Sequence, residues 1–275
     1  MNPLNVKSSY YEVMRHYLVI DGKSTKDFGV YLSGDGTFKA PEKNVEEFTI
    51  PGRNGTFHYS VPDTYKNVKV PYDCFIFKDF KRNVAAFRSF LLSRKGYVRI
   101  EDTHHPDEFR MGMFHEEFDP EVFVDLTAAQ FTINFDCRPE RWLKSGEEKI
   151  VITEDATKIF NDTNFTAKPL IRVIGTNTGN AMLNITNGGV STTISFVIPE
   201  EKEIYLDSEN QEAYTYTKNE TTGVYEIRSL NSSVYYSAGN TDRVFPDLKP
   251  GTNVVLMYPK DGSLTFQITP RWWIL

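Results

Sequence analysis

The pattern that most constrains the fold is the alternation of apolar and polar residues between Phe131 and Cys137, near the middle of the chain. Every second residue of this segment is Phe, Ile or Cys, and the residues between them are Thr, Asn and Asp. Since successive side chains of a strand point to opposite faces of a sheet, the alternation predicts a β-strand with one buried face. Aromatic residues, which favour strands, make up 14% of the chain. The sequence therefore predicts a mainly β fold.

The first half of the chain contains several predicted strands and one predicted helix, so we expect an α+β domain there. Asp21-Gly22 and the segment Pro51–Gly55 are turn signals, and Pro71 indicates a sheet edge or a bulge because proline donates no ladder hydrogen bond. The predicted strands are Tyr17–Ile20 with a return strand at Phe28–Leu32, then Val45–Ile50, Val68–Phe77, Tyr97–Ile100 and Phe123–Cys137.

One segment, Lys81–Arg94, has the periodicity of a helix. Apolar residues recur there every three or four positions, which places them on one face. Asp79 is placed to act as the N-cap, and Gly96 is placed to end the helix. The predicted apolar stripe consists of Phe80, Val84, Phe87 and Leu91.

Basic residues recur every seven positions along the same segment, at Lys81, Arg88 and Lys95. Seven residues are about two helical turns, so we expect these side chains to share a face. Two interpretations stay open: a solvated helix face, or an electrostatic contact with a protein partner or with passing nucleic acid.

The second half of the chain is β in character throughout. We expect Arg138–Trp142 to end the preceding strand and the polar segment Leu143–Lys149 to follow, so the predicted domains are residues 1–145 and 146–275. The apolar runs of the second half have the length and spacing of strands in a β-sandwich. These runs are Leu170–Ile174, Ala181–Ile185, Thr192–Ile198, Ile204–Leu206, Ala213–Thr217, Val224–Ile227, Val254–Tyr258 and Leu264–Ile268.

Composition and motifs argue against several classes of protein. The 275 residues include 31 Lys and Arg against 37 Asp and Glu, a net charge of −6, which disfavours a non-specific nucleic-acid binder. We find no apolar run of about 18 residues that would span a membrane and no secretion signal in the first 22 residues. Two cysteines are too few for a disulfide-rich scaffold, and we expect both thiols to be reduced. Nucleophile-elbow, phosphate-loop and zinc-protease motifs are missing from the sequence, so we expect no enzymatic activity and no cofactor or metal.

Four segments could carry another kind of site, and all of them have a simpler interpretation. Asp102–Asp107 and His115–Glu117 contain metal-ligand residue types, but their spacing fits no familiar metal site, so we expect a polar loop between strands. Asp207–Glu212 lacks the glycine of an EF-hand loop, so we expect a solvated turn. Trp272 and Trp273 could form a sugar-stacking or docking surface, but we expect at least one of them to pack against the last strand.

Several segments, taken together and in order, resemble the distal tail proteins (Dit) of siphophages and of prophages in Gram-positive bacteria. They are similar to that family's opening hairpin, to its Pro-Gly-Arg-(Asp/Asn)-Gly loop, to the end of its first domain and to two stretches of its C-terminal domain. The similar segments are Tyr17–Ser24 with Asp27–Val30, Ile50–Gly55, the helix before Gly96, Phe131–Cys137 with Arg138–Trp142, Thr166–Gly175 and Phe245–Asn253.

The resemblance implies a fold and a structural role. It implies a β-barrel-like ring-forming domain with one helix, followed by a galectin-like β-sandwich. Six copies would form a ring at the distal end of a long non-contractile tail, assembled in the cytoplasm of the bacterial host and carried in the virion. The ring would bind the major tail (tube) protein on one face and the tail-associated hub protein on the other, with a receptor-binding protein as a further partner. DNA would pass through the ring only in transit, and no membrane anchor is expected.

We expect the ring and tube contacts of such a protein to lie in its N-terminal domain. Gly52 and Gly55 are more simply explained as residues that set turn geometry. Two other functions stay open: a carbohydrate-binding adhesin module of the tail tip, and a metal-dependent hydrolase built around the histidines of the polar loop. The candidate contacts are Gly52, Arg53, Asn54, Gly55, Lys81, Arg88, Lys95 and the acidic loop His104–Glu117.

Overall fold

A computed structural model describes residues 15–34, 37–77, 79–123, 127–152, 156–176, 178–219, 221–236, 245–259 and 262–275. The expectation about a secretion signal falls largely on residues 1–14, and part of the predicted strand Phe123–Cys137 falls on residues 124–126; both lie outside the described residues. The chain divides into two compact units, one ending at Trp142 and also including Leu275, the other spanning Leu143–Ile274. Strands account for 54% of the structure, so the prediction of a mainly β fold with one helix is confirmed.

The first unit is built on a curled half-barrel sheet. Among the described residues its strand order is β2-β1-β7-β8-β10-β6-β3, with β9 paired to β10, and β4 and β5 form a separate two-stranded sheet. The strands are β1 (Leu18–Ile20), β2 (Lys23–Ser24), β3 (Val30–Leu32), β4 (Lys43–Phe48), β5 (Phe57–Tyr65), β6 (Val68–Phe77), β7 (Val98–Asp102), β8 (Glu108–Met113), β9 (Glu121–Val122) and β10 (Ala128–Leu143).

The longest pairing in this sheet joins β6 and β10. It runs in register from Val68 opposite Cys137 to Phe77 opposite Ala128. The predicted alternation is confirmed, because the apolar residues between Phe131 and Cys137 are all buried in the core of this unit. Pro71 lies beyond the stretch of β6 that pairs with β3, so it sits where the strand has a partner on one side only.

Helix α1 (Phe80–Leu92) covers the buried face of this sheet. The predicted stripe is confirmed, since Phe87 and Leu91 are buried and Phe80 and Val84 pack against the same core. The predicted cap is wrong: Asp79 has left-handed backbone angles, and its side chain makes no capping hydrogen bond. The helix also ends at Leu92, four residues before Gly96, because the chain turns at Ser93 toward β7.

Two further predictions for this unit are corrected. The strand that returns from the Asp21-Gly22 turn is β2, not Phe28–Leu32, because Thr25–Phe28 forms a 3₁₀ turn and β3 pairs with β6 instead. Thr25 holds that turn, since its hydroxyl accepts from the Leu18 N–H and donates to the Val30 carbonyl. The second correction concerns Arg138–Trp142, which continues strand β10 rather than ending it.

The second unit contains two sheets that share one hydrophobic core, so the predicted β-sandwich is confirmed. Within the described residues one sheet has the order β11-β21-β13-β16-β17-β18 and the other β12-β20-β14-β15-β19. The strands of these two sheets, in chain order, are β11 (Ile150–Ile152), β12 (Thr157–Asn161), β13 (Leu170–Gly175), β14 (Gly179–Asn187), β15 (Val190–Ile198), β16 (Glu203–Asp207), β17 (Glu212–Lys218), β18 (Tyr225–Ser229), β19 (Val234–Tyr236), β20 (Gly251–Tyr258) and β21 (Leu264–Thr269). A short strand β22 (Trp273–Ile274) follows and is a member of neither sheet.

All eight apolar runs predicted for the second half form strands, whereas β11, β12, β19 and β22 were not predicted. The two sheets meet through rings such as Phe196 and Phe266, whose centroids lie 6.4 Å apart. Trp272 and Trp273 are both buried, Trp273 stacks on Phe165 at 4.3 Å, and its indole N–H donates to the Thr166 carbonyl. Packing is therefore the confirmed interpretation of the tryptophan pair.

Candidate assembly surfaces

The hairpin of β4 and β5 is the most exposed regular element of the first unit. Among the described strands β4 pairs only with β5, over Val45–Phe48 opposite Phe57–Ser60, and the register shifts between Lys43 and Val45. Five of the six residues of β4 are exposed. A two-stranded hairpin is only marginally stable by itself in water, so such an element gains stability from a partner surface.

One face of this hairpin carries a cluster of exposed apolar side chains, with Glu46 among them opposite Tyr59. Phe48 lies opposite Phe57, and Tyr59 and Val61 lie on the same face as Phe57 because alternate residues of a strand share a face. The exposed fractions of these four residues are 52%, 41%, 60% and 50% in sequence order. The opposite face is more polar and includes an ion pair between His58 and Glu47 at 3.5 Å. An exposed cluster of apolar side chains beside charged residues is typical of a protein–protein contact.

The predicted loop Gly52–Gly55 forms the tip of this hairpin and is fully exposed. Gly52 and Gly55 have φ angles of +83° and +87°, which residues with a Cβ rarely adopt, so both glycines are required by the turn itself. The Arg53 guanidinium lies over the Phe57 ring at 4.2 Å. The loop and the apolar face therefore form one continuous surface.

The predicted basic residues of the helix are only partly brought together. Lys81 and Arg88 are both exposed and lie two turns apart on α1. Lys95 is exposed but lies beyond the end of the helix, so it is not on that face. The two helical residues are consistent with either interpretation of the basic face, and their role as a contact stays a prediction.

The histidine segment has an internal role. Asp102 accepts hydrogen bonds from the backbone N–H groups of His104 and His105 and lies 3.0 Å from the His105 ring Nδ1. The Tyr72 hydroxyl donates to the same carboxylate, and burial, followed by the charge of Asp102, raises the pKa of Tyr72 well above its usual value. His16 stacks on His104 with ring centroids 3.9 Å apart. These contacts hold the turn between β7 and β8 in place.

The proposed acidic loop His104–Glu117 is not a loop over its whole length. Its centre is strand β8, which pairs with β7, and Glu108 of that strand forms an ion pair with Arg141. The prediction failed because apolar and polar residues alternate too weakly in Glu108–Met113 to indicate a strand. The β7 residues that pair with this segment also lie earlier in the chain, outside the predicted loop. The alternating aromatic residues of β5 were a usable signal that the sequence-based prediction missed.

The candidate metal segments do not converge on a site. Within the described part of the chain, no group of three His, Cys, Asp or Glu side chains is close enough to hold a metal ion. Asp207 is 4% exposed and is bound by the Arg271 guanidinium at 2.7 and 3.2 Å. This corrects the prediction of a solvated turn at Asp207–Glu212 for the first residue of that segment.

Both cysteines are free and buried. No described helix is long and apolar enough to cross a membrane.

The sandwich carries a row of polar and aromatic side chains across its six-stranded sheet. Gln267, Arg172, Tyr205 and Tyr214 are neighbours in the register of successive strands. The Tyr205 and Tyr214 rings stack with centroids 5.2 Å apart, and burial raises the pKa of both phenols to about 12. Arg172 donates to Gln267 and forms an ion pair with Glu203. The row is therefore an aromatic patch beside a guanidinium that an ion pair holds in place.

Comparison with known proteins places the fold. A scan against protein-family models finds no match for this chain, and a search of curated proteins finds none either. Among solved structures, the crystal structure of SPP1 Dit (gp 19.1), described as a paradigm of the hub adsorption apparatus in phages that infect Gram-positive bacteria, matches with a TM-score of 0.65 and 15% identity. That match covers 94% of this chain and 99% of the SPP1 chain.

Two structures of the phage P2 baseplate in its activated conformation, one with Ca and one with Sr, match less well. Their TM-scores are 0.48 and 0.47, and their sequence identities to this chain are 11% and 10%. The matches cover 93% and 92% of this chain, and 98% and 97% of the matched baseplate chains. These two likenesses are too weak to add to the fold assignment. The likeness to SPP1 Dit spans both units of the chain, so the resemblance found in the sequence is confirmed at the level of fold. The chain has the fold of a phage distal tail protein.

Proposed function

We propose that this chain is a structural protein of a phage tail, with no enzymatic activity, that forms a hexameric ring at the distal end of a long non-contractile tail. The ring would join the tail tube to the tail-tip hub and the receptor-binding apparatus. The observation that carries the proposal is the shared fold with SPP1 Dit over nearly the whole of both chains. The exposed apolar hairpin face supports it, because a surface of this kind needs a protein partner.

In this proposal the N-terminal domain, residues 1–145, closes the ring, and residues 146–275 form a galectin-like sandwich. A ring requires a heterologous interface, in which one patch of a subunit contacts a different patch of the next. We assign the β4–β5 hairpin face and its tip Gly52–Gly55 to that interface. Covering one face of a ribbon that pairs with no other described strand would also stabilise the hairpin itself.

The partners follow from the position at the tail tip. One face of the ring would bind the major tail protein, the other the tail-associated hub protein, and a receptor-binding protein would attach further out. DNA would pass through the ring during ejection without being recognised. The protein would assemble in the cytoplasm of the host bacterium and remain in the virion.

The ring contact is tested by removing the apolar face of the hairpin. We expect the double substitution Phe57→Ser and Tyr59→Ser to abolish the hexamer in light scattering. Because both side chains are exposed in the single chain, that chain should remain folded, which far-UV circular dichroism checks. His58→Ser, on the opposite face, is the matched control and should leave the hexamer intact. A double variant with wild-type mass would remove the hairpin from the interface.

The basic helix face is tested separately, as a contact with the tail tube. Charge reversal at Arg88 should leave the ring formed but reduce its binding to purified tail tubes by about tenfold, as the loss of one interface ion pair predicts. Lys95→Glu, which lies off the helix, is the control. Undiminished co-sedimentation of the Arg88→Glu ring with tubes would show that the face is merely solvated.

A second candidate function is that of a carbohydrate-binding adhesin module. The tyrosine row beside Arg172 favours it, since neutral aromatic rings and a fixed guanidinium can contact sugar rings and hydroxyls. The Tyr216 ring stands edge-on to both Tyr205 and Tyr214 and is exposed. Saturable binding of the wild-type protein to purified host cell wall, lost on Tyr216→Ala, would support this function. No saturable binding leaves the structural role as the sole proposal.

A further inference from the structure

Strand β18 is the last strand of the six-stranded sheet in the part of the chain that the structure describes. One side of it pairs with β17, and no described strand pairs with the other side. All five of its residues are exposed, with Tyr225 at 66% and Ile227 at 68%. The opposite edge of the same sheet, β11, is only three residues long. Proteins usually shorten or cover sheet edges, so an exposed five-residue edge strand with an open row of backbone groups indicates a pairing surface.

The hydrogen-bond pattern shows which backbone groups of β18 are available. The Asn219 N–H donates to Val224, and the Leu230 N–H donates to Ala213, in line with the register of β17 and β18. Because hydrogen-bonded and non-bonded pairs alternate in antiparallel strands, the even-numbered residues of β18 face β17. The N–H and C=O groups of Tyr225, Ile227 and Ser229 therefore point to the open edge.

We propose that β18 pairs antiparallel with β18 of a second copy of this chain, about a two-fold axis through Ile227. In this register Ile227 lies opposite Ile227 of the partner subunit, and Tyr225 lies opposite Ser229 of the partner subunit. These odd-numbered positions would be hydrogen-bonded pairs, so all the open-edge backbone groups named above would be satisfied. The contact is isologous, as a two-fold axis requires.

Charge complementarity selects a second copy as the occupant. The same register places Glu226 opposite Arg228 of the partner subunit, and the reciprocal pair follows from the symmetry. These are non-bonded positions, where facing side chains come closest, so two cross-strand ion pairs would form. Within one chain, the Glu226 carboxylate accepts a hydrogen bond from the Asn219 side-chain amide. Arg228 forms an ion pair with Glu201. These contacts hold both side chains in place beside the strand. The strand is thus complementary to itself in both backbone and charge.

This contact goes beyond the proposed ring. It uses the second unit of the chain and two-fold symmetry, whereas the ring uses the hairpin of the first unit. The β18 contact would join subunits of two rings, or two free chains. It would therefore double the mass of the ring, or of the single chain where no ring forms. Substitutions at the hairpin and at β18 should therefore change the mass independently.

Cross-linking tests the register. In the full-length protein, Ile227→Cys should be joined by a short bis-maleimide, since residues in a hydrogen-bonded pair have Cα atoms about 5.5 Å apart. Tyr225→Cys is the matched control with similar exposure, and its two copies would lie about 14 Å apart along the strand. The wild type should not react, because both of its cysteines are buried. Equal cross-linking of the two variants, or none in either, would overturn the proposal.

Charge exchange tests the partner. Glu226→Arg alone and Arg228→Glu alone should each halve the mass measured by light scattering, because like charges would then face each other. A mixture of the two single variants should regain the doubled mass, since each supplies the charge that the other lacks. The double variant, Glu226→Arg with Arg228→Glu, should also regain it. Single variants with wild-type mass, or a mixture that is not restored, would exclude pairing of β18 with a second copy.

Discussion

At the scale of residues, the ion pair of Asp207 and Arg271 places the carboxylate of a residue that is 4% exposed against a guanidinium. Burial raises the pKa of the Asp207 carboxyl, but the hydrogen bonds and charge of Arg271 outweigh that effect, so the pKa lies below its ordinary value of 3.8. Breaking a buried pair by removing one partner leaves a buried charge uncompensated. Arg271→Met should therefore lower the free energy of unfolding by about 3 kcal/mol at pH 7, measured by urea denaturation.

The same residue pair makes a pH-dependent prediction. A carboxyl whose pKa is lowered on folding contributes stability above its unfolded value, and that contribution is lost as the pH falls through the folded value. The difference in stability between the wild type and Arg271→Met should be largest near neutral pH and shrink on acidification, because the unpaired buried carboxyl of the variant takes up a proton at a higher pH than the paired one. Arg82→Met, at an exposed position of α1 outside the assigned ring interface, is the control. A difference that did not change with pH would contradict this account of Asp207.

At the scale of elements, the turn after β10 and the C-terminal segment fit together with no spare space. A Cβ added to Gly146 would lie 2.2 Å from the backbone nitrogen of Trp272, and the Gly146 carbonyl accepts from the Arg271 N–H. Gly146→Ala should therefore cost about 3 kcal/mol, at the upper end of the usual overpacking penalty, and lower the thermal midpoint. Gly179→Ala has open space around it and should have little effect. Equal midpoints for the two variants would contradict the packing described.

Elements with buried alternation were predictable from sequence, and elements set by distant contacts were not. The run from Phe131 to Cys137 and the stripe on α1 follow directly from burial of one face. The 3₁₀ turn at Thr25–Phe28 depends on bonds from Thr25 to β1 and β3, which no local pattern reveals. Strand β10 continues through Pro139. Its pairing with β6 stops at Cys137, opposite Val68, so the proline interrupts no pairing with β6.

The candidate site was predicted only in part, for a similar reason. The loop Gly52–Gly55 was recognised by its turn residues, but the apolar face behind it was not, because exposure of Phe57 and Tyr59 is a property of the folded hairpin. Alternation of aromatic residues indicates that one face is covered, and it does not indicate whether the same chain covers it. The spacing of Lys95 from Arg88 suggested a shared face, but the helix ends before that residue.

At the scale of the whole molecule, the central claim is that copies of this chain close into a ring of six. The most direct test is light scattering of the purified full-length protein, with negative-stain imaging of the same peak. We predict particles with a central hole and a mass of six chains, or twelve where the β18 contact joins two rings. A mass of one or two chains at every concentration, with no ring in the images even after addition of purified tail tubes, would contradict the claim.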